Sequence, residues 1–507
     1  MVFPGPIWAQ DGGPLSAIDW LSESVAAQAA QGSAGVSVAI DEPPVTGQGG
    51  ALPEPVATTA LDGPAPDGVG LIPPRVSGLP KDLWGAGLTR EIAERLVAHP
   101  DDDLPALRQL FLTILLAEAD PPVDAAGKGE LLLVRIDKLL SLGALEQAAA
   151  LIEAAGATTP ALFRRAFDVA LLTGAEDRAC EKMAAAPGLA PTVPARIFCL
   201  ARSGDWDTAA LTLHNAGALG EIGADQAALL ARFLDPDLFE GEPPPAAPDP
   251  VTPLDWVMFD AIGEPLATDR LPIAFSYAEI SPRAGWKAQI EAAERLTRGG
   301  TIPPNVILGL YTERAPAASG GVWDRAAAFQ KFESALASGD AARVAATLPE
   351  VWLRMQEAEL EVPFAFLFGQ ALIDLKLEGE AGAIALRVAL LSPYLEAAAR
   401  RMTANGPQEA FLVALAKGDP TLVVPPDSMA RAIVAAFRNP PLPAEGQALL
   451  EGNRTGEAIL LAISSIGRGV QGDLRGVTEG IALLRAAGLS GMARRTALEL
   501  MILERRG

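Results

Sequence analysis

From about Leu79 onward, apolar residues recur at the three-to-four spacing of helices buried along one face. "LTREIAERLVAH" and "LPALRQLFLTILLAEA" show the pattern first, and proline-rich stops follow them. Six short helices are then predicted at 129–142, 144–155, 160–173, 175–186, 193–203 and 206–219. Helical spacing resumes after residue 256 in segments such as "GWKAQIEAAERLTRG", "GVWDRAAAFQKFESALASG" and "AGAIALRVALLSPYLEAAARRM". Strand-like alternation does not build up anywhere, and proline and glycine mark the breaks. The expected fold class is all-α.

The turns between the predicted helices follow a rule. Gly143, Gly174 and Gly204 stand 31 and 30 residues apart. Five residues after each lies an alanine: Ala148, Ala179 and Ala209. Glycine takes the left-handed conformation that ends a helix and reverses the chain. A small residue one turn into the next helix lets the pair approach closely. One helix pair cannot bury its own apolar face, so successive pairs are expected to stack.

The stretch "Gly204-Asp205-Trp206-Asp207-Thr208-Ala209" resembles the turn and second-helix start of a tetratricopeptide repeat (TPR). The likeness is degenerate: Gly174 is followed by "AEDRA" and Gly143 by "ALEQA". The period is also shorter than that family's usual ~34 residues. The resemblance covers about 125–220, with a weaker echo in "ALASGDAARVAATL" at 335–348. It implies a TPR-like α-solenoid that binds proteins or peptides, and it implies no catalytic residue. In such an array Cys180 and Cys199 fall on adjacent helices, close enough for a disulfide. The alternative is two small buried apolar side chains.

Two segments depart from helical spacing. Residues 10–80 contain one short amphipathic candidate, 14–30, with Ile18, Leu21 and Val25 in register. The rest of that segment is rich in Gly, Ala, Pro and acids, with no Lys or Arg before Arg75. Such a composition buries too little apolar surface to offset ordering entropy, so a disordered acidic tether is expected. The other departure is the proline run within 233–256, "FLDPDLFEGEPPPAAPDPVTPLDW", read as a linker over 237–253. The expected divisions are therefore 1–9, 10–80, 81–236 (the TPR-like repeats), 237–253, and 254–507 (a second α-helical array).

Composition narrows the class. Half of the 507 residues are hydrophobic, while aromatics make up only 5%, which suits closely packed helices. The net charge of −23 disfavours nucleic acid and anionic lipid as partners. No apolar run reaches the ~20 residues of a membrane helix, so no membrane insertion is expected. "Ile7-Trp8-Ala9" followed by "Gln10-Asp11" has the look of a signal-peptide cleavage site, with 1–9 as a remnant. Abundant alanine, with arginine favoured over lysine, suits a GC-rich bacterial gene. Export then means the periplasm, with a cytoplasmic location as the alternative.

Candidate chemistry is sparse. "Gly467-Arg468-Gly469-Val470-Gln471-Gly472" fits GxGxxG, but no second strand and acid follow, so an interhelical turn is expected rather than a dinucleotide site. "AAGKGE" lacks the first glycine and the hydroxyl residue of a phosphate loop. "GLSGM" joins two helices and is not GxSxG. His99 and His214 are the only histidines, too few for a histidine metal site. The acids of "Asp101-Asp102-Asp103" suit a helix N-terminus, and those of "Glu357-Ala358-Glu359-Leu360-Glu361" suit a solvated helix end. Trp206 and Trp286 are singled out as binding anchors; most of the other tryptophans are expected to pack between helices.

The sequence thus predicts a non-catalytic periplasmic scaffold or adaptor without a cofactor, part of an envelope complex and binding another protein through a helical-repeat surface. An enzyme acting on cell-wall polymer, built on a helical superstructure, is the alternative.

Overall fold

The computed structural model describes residues 65–100, 103–156 and 159–503. The expected signal remnant and the amphipathic segment 14–30 lie outside them. Among the described residues the fold is all-α: twenty-five α-helices and no strand. A lone parallel bridge joins Ile72 to Ala117.

After a one-turn helix, Pro74–Ser77, the first longer helices are α1 (Thr89–Val97) and α2 (Pro105–Leu116). It continues through α3 (Glu130–Ser141), α4 (Leu145–Ala154), α5 (Pro160–Thr173), α6 (Glu176–Ala185), α7 (Val193–Arg202) and α8 (Trp206–Leu219). Each bound of these last six falls within one residue of its sequence expectation. The local causes are visible. Thr159 and Thr192 accept the backbone N–H groups of Leu162 and Ala195, capping α5 and α7, and Pro160 holds the first position of α5. The Asp205 carboxylate caps α8 through the Thr208 N–H. From α3 to α8 each helix packs on the next in the chain.

The array ends at α9 (Ala224–Leu234), and the chain then comes back. After the proline run, α10 (Pro253–Ala261) packs against α5 and α9. The Thr252 capping box with Asp255 fixes its start. Next comes α11 (Trp286–Arg298), whose end lies beside α3: Leu296 and Ile273 approach Gly143, and Gln147 donates to the Thr301 carbonyl at 2.9 Å. Further helices, including α12 (Val322–Ala337) and α13 (Ala341–Glu357), lead to α14 (Thr455–Val470), α15 (Leu474–Ala486) and α16 (Ser490–Ile502).

The last helices close on the first. α16 packs on α2, and α14 packs on both α1 and α2. Glu499 accepts the Ala106 N–H at the start of α2 at 2.8 Å. The Gly456 N–H donates to the Leu83 carbonyl at 2.7 Å. Glu457, fully buried, takes Arg95 at 3.3 Å and Arg454 at 2.5 Å, and Arg454 also pairs with Glu91.

The packing does not follow the expected divisions. One large apolar cluster joins Leu83, Leu107 and Leu131 near the start to Ile463, Ile481 and Leu498 near the end. A second cluster joins Phe163, Phe198 and Leu230 to Leu254, Met258 and Phe259 of α10. The proline run is therefore a surface crossing and not a boundary between cores, because α10 buries its apolar face against the helices that precede the run.

Residues 65–80 also depart from the expected tether. They contain a short helix, Pro74–Ser77, and are pinned by polar contacts. Buried Asp67 accepts the Leu132 N–H at 2.9 Å. Arg135 donates to the carbonyls of Val69 and Leu115, each at 2.7 Å, and Ala117 at 3.0 Å. Burial pushes the Arg135 guanidinium down to about 10, against the pull of Asp67. A composition argument counts apolar surface and is blind to such an anchor.

Candidate interaction surface

The three glycine turns share one geometry. Gly143, Gly174 and Gly204 have φ of 75°, 72° and 85°. In each, the following N–H reaches back five residues: Ala144 to Leu139 at 2.8 Å, Ala175 to Ala170 at 2.8 Å, and Asp205 to Leu200 at 2.9 Å. This bond closes a Schellman motif and satisfies a carbonyl at the helix end. Ala148, Ala179 and Ala209 are all buried between helices. The same back-bond recurs after Gly220, Gly263, Gly300, Gly418, Gly472 and Gly488. Asn453 and Glu359 fill the glycine's place at φ 54° and 55°, followed by the back-bonds of Arg454 and Leu360. Those turns escaped the sequence rule because their intervals are irregular.

The three turns differ in what covers them. Gly143 lies under Leu296 and Ile273 of the returning chain, at 3.1 and 3.2 Å from where a β-carbon would stand. Gly174 faces only the Arg283 side chain at 3.9 Å, and Gly204 faces open space. The array is thus covered at one end and free at the other.

At the free end α8 leaves large apolar side chains uncovered. Only Ala209 and Ala216 of this helix are fully buried, with Leu213 packed partly beneath it. Outward stand Trp206, Leu211 and Leu219, exposed to 49%, 59% and 74%. The run from Thr208 to Gly220 holds no Asp, Glu, Lys or Arg. In a chain of net charge −23 this is a neutral stretch, with exposed Asp205 and Asp207 at its start. The Trp206 ring leans on Phe233 at 6.5 Å, which in turn stacks on Phe198 at 5.5 Å. A tryptophan held from beneath and half open above is well placed to act as an anchor. Leu211 and Leu219 were not singled out in the sequence, although the charge-free run was legible there.

Cys180 and Cys199 form a disulfide between α6 and α7, with Cα atoms 5.0 Å apart. Both residues are buried, so the bond braces two stacked pairs from within.

Trp286 is corrected from an anchor to a core residue. Its ring is 8% exposed and packs on Trp323 at 5.0 Å, and its N–H donates to the Leu310 carbonyl at 2.9 Å. Position at a helix start does not tell which face of the helix turns inward.

The remaining candidates resolve into structure. Gly467 and Gly469 lie within α14, and of the motif's three glycines only Gly472 lies in the turn before α15. A β-carbon on Gly469 would stand 2.2 Å from Val477, so the glycine lets α14 and α15 approach closely. His99 and Asp103 form a buried pair at 2.7 Å, with the imidazole against Phe111 at 3.8 Å. His214 is exposed on α8. Glu361 is buried, and Glu359 sits in a turn at φ 55°.

Among the described residues no cluster of His, Cys, Asp and Glu has the arrangement of a metal site. No helix among them is long and apolar enough to cross a membrane. Comparison with protein families, characterised proteins and solved structures finds no match to this chain.

Proposed function

We propose that this chain is a non-catalytic scaffold, a TPR-like α-solenoid that binds another protein through the outer face of α8. The single observation that carries this reading is that Trp206, Leu211 and Leu219 all stand exposed on one helix, whose run from Thr208 to Gly220 holds no charged residue, on an otherwise acidic molecule. Large apolar side chains left exposed together on one element of a folded chain mark a candidate interaction site. Exposed Asp205 and Asp207 flank this half-open tryptophan, and the partner offers an apolar helix or strand surface to it. The Cys180–Cys199 disulfide favours an oxidising compartment, in keeping with a periplasmic scaffold of an envelope complex.

The test is site-specific photo-crosslinking in cells from position 211, with exposed Glu350 on α13 as the control position. A discrete adduct from position 211 is expected, absent from position 350. Leu211→Glu should abolish the partner's co-purification while circular dichroism stays unchanged. Equal adducts from both positions, or a Leu211→Glu variant that binds as before, would refute the proposal.

A further inference from the structure

The chain carries 63 acidic against 40 basic residues, yet one cavity is lined by three arginines and no carboxylate. It encloses about 480 Å³ where three parts of the chain meet. Arg108 comes from α2, Ser141 and Leu142 from the end of α3, and Arg295, Arg298 and Gly299 from the end of α11. Pro272 and Ile273 complete the wall. The volume lies within the range of small-molecule sites, ~300–1,000 Å³.

The three guanidinium groups are not equally engaged. Buried Arg108 donates to the carbonyls of Asp103, at 2.9 Å, and of Arg298. Arg295 donates to the carbonyls of Thr268 at 2.9 Å and Leu271 at 3.3 Å. The Arg298 guanidinium makes no such bond to a carbonyl and forms no ion pair among the described residues, and its Nε is buried without a hydrogen-bond partner. Arginines in a last helical turn often serve the negative end of the helix dipole. Here that role leaves a buried donor of Arg298 unmet, at a cost of about 1–3 kcal/mol for such a group. Arg295 and Arg298 also repel one another. Burial lowers the Arg295 guanidinium from its ordinary value; Glu279 and Asp269 oppose the shift, and Arg298 reinforces it.

We infer that this cavity binds a small oxyanion, the phosphate or carboxylate of a molecule whose apolar part rests on Leu142, Pro272 and Ile273. Arg295 and Arg298 take the anion, and Arg108 fixes the end of α11 through the Arg298 carbonyl. The planar fork of a guanidinium matches two oxygens of such a group and gives the strongest kind of hydrogen bond. An anion here offsets the Arg295–Arg298 repulsion and supplies acceptors for Arg298. It also ties α2, α3 and α11 together, so binding stabilises the fold by mass action.

The test uses the full chain. Inorganic phosphate and citrate are titrated at constant ionic strength, with chloride as the control, by calorimetry and by thermal unfolding. Saturable binding of phosphate, of citrate or of both, with a matching rise in Tm, is expected. A response to phosphate alone or to citrate alone supports the site and names the group. Arg298→Gln should weaken binding about tenfold or more. Pro272→Glu, at the exposed rim, should do the same while its anion-free Tm is at or above that of the parent, because the new carboxylate stands beside the arginines, so the test survives if Arg298→Gln fails to fold. No saturable response beyond chloride, or full binding by Pro272→Glu, would overturn the inference.

Discussion

A glycine in this chain has one of two uses, and single substitutions tell them apart. At Gly204 an added β-carbon meets nothing within 4 Å, so Gly204→Ala pays only for the left-handed backbone, about 1 kcal/mol. At Gly143 the same backbone term is joined by the crowding of Leu296 and Ile273, so Gly143→Ala is expected to lose about 2 kcal/mol or more. Urea unfolding of the two variants side by side checks the order; equal losses would contradict it. The turn role was legible because three glycines repeated at nearly equal intervals. The packing role of Gly469 was not, since it depends on Val477 from another helix. Trp286 was misjudged for the same reason: its partners Trp323 and Leu310 come from elsewhere in the chain.

The helices themselves were the most legible level. Apolar spacing, capping threonines, an N1 proline and a closing glycine all act within a few residues, and from α3 to α8 they agree. What they leave open is which faces stay uncovered. α8 carries apolar residues on both sides, so its sequence alone does not show that Leu211 stands exposed while Leu213 packs partly inward. The disulfide acts at this scale as well, because it closes a loop with a sequence separation of 19 between α6 and α7. Replacing both cysteines by alanine is expected to cost about 3 kcal/mol. The apolar cluster around Phe163 and Phe198 is distinct from the large one. The loss should therefore appear first as faster hydrogen exchange in α6, α7 and α8, with α14–α16 unchanged. Uniformly faster exchange would show that the two clusters unfold as one.

At the scale of the whole molecule the decisive feature is closure of the last helices on the first. Glu457 is its electrostatic pivot, buried between Arg95 and Arg454. Glu457→Ala leaves two arginines facing one another without their shared carboxylate. Arg95 keeps Glu445 and Arg454 keeps Glu91, so the expected cost is about 1–3 kcal/mol. Limited proteolysis should then cut within 81–98 before it cuts α3–α5, while the parent chain resists at both places. An unchanged cleavage order would mean that the apolar contacts of α1 and α2 hold the closure without the ion pairs. This closure carries residues across more than 350 positions of sequence, as in the Glu499 bond to Ala106, separated by 393. It also explains why the proline run failed as a boundary: a break in periodicity reports a surface crossing and says nothing about which core the next helix joins.

The sequence by itself determined that this chain is helical, where its helices from α3 to α8 begin and end, and that glycine closes their turns. Those outcomes rest on spacing, capping and backbone freedom, forces that operate over one or two helical turns. Only the tertiary structure decided which helices share a core, that Arg135 pins residues 65–80, that Trp206 stands open while Trp286 is covered, and that three arginines line one cavity. Each of these depends on atoms brought together from distant parts of the chain, and burial and electrostatics act through space without regard to order along it.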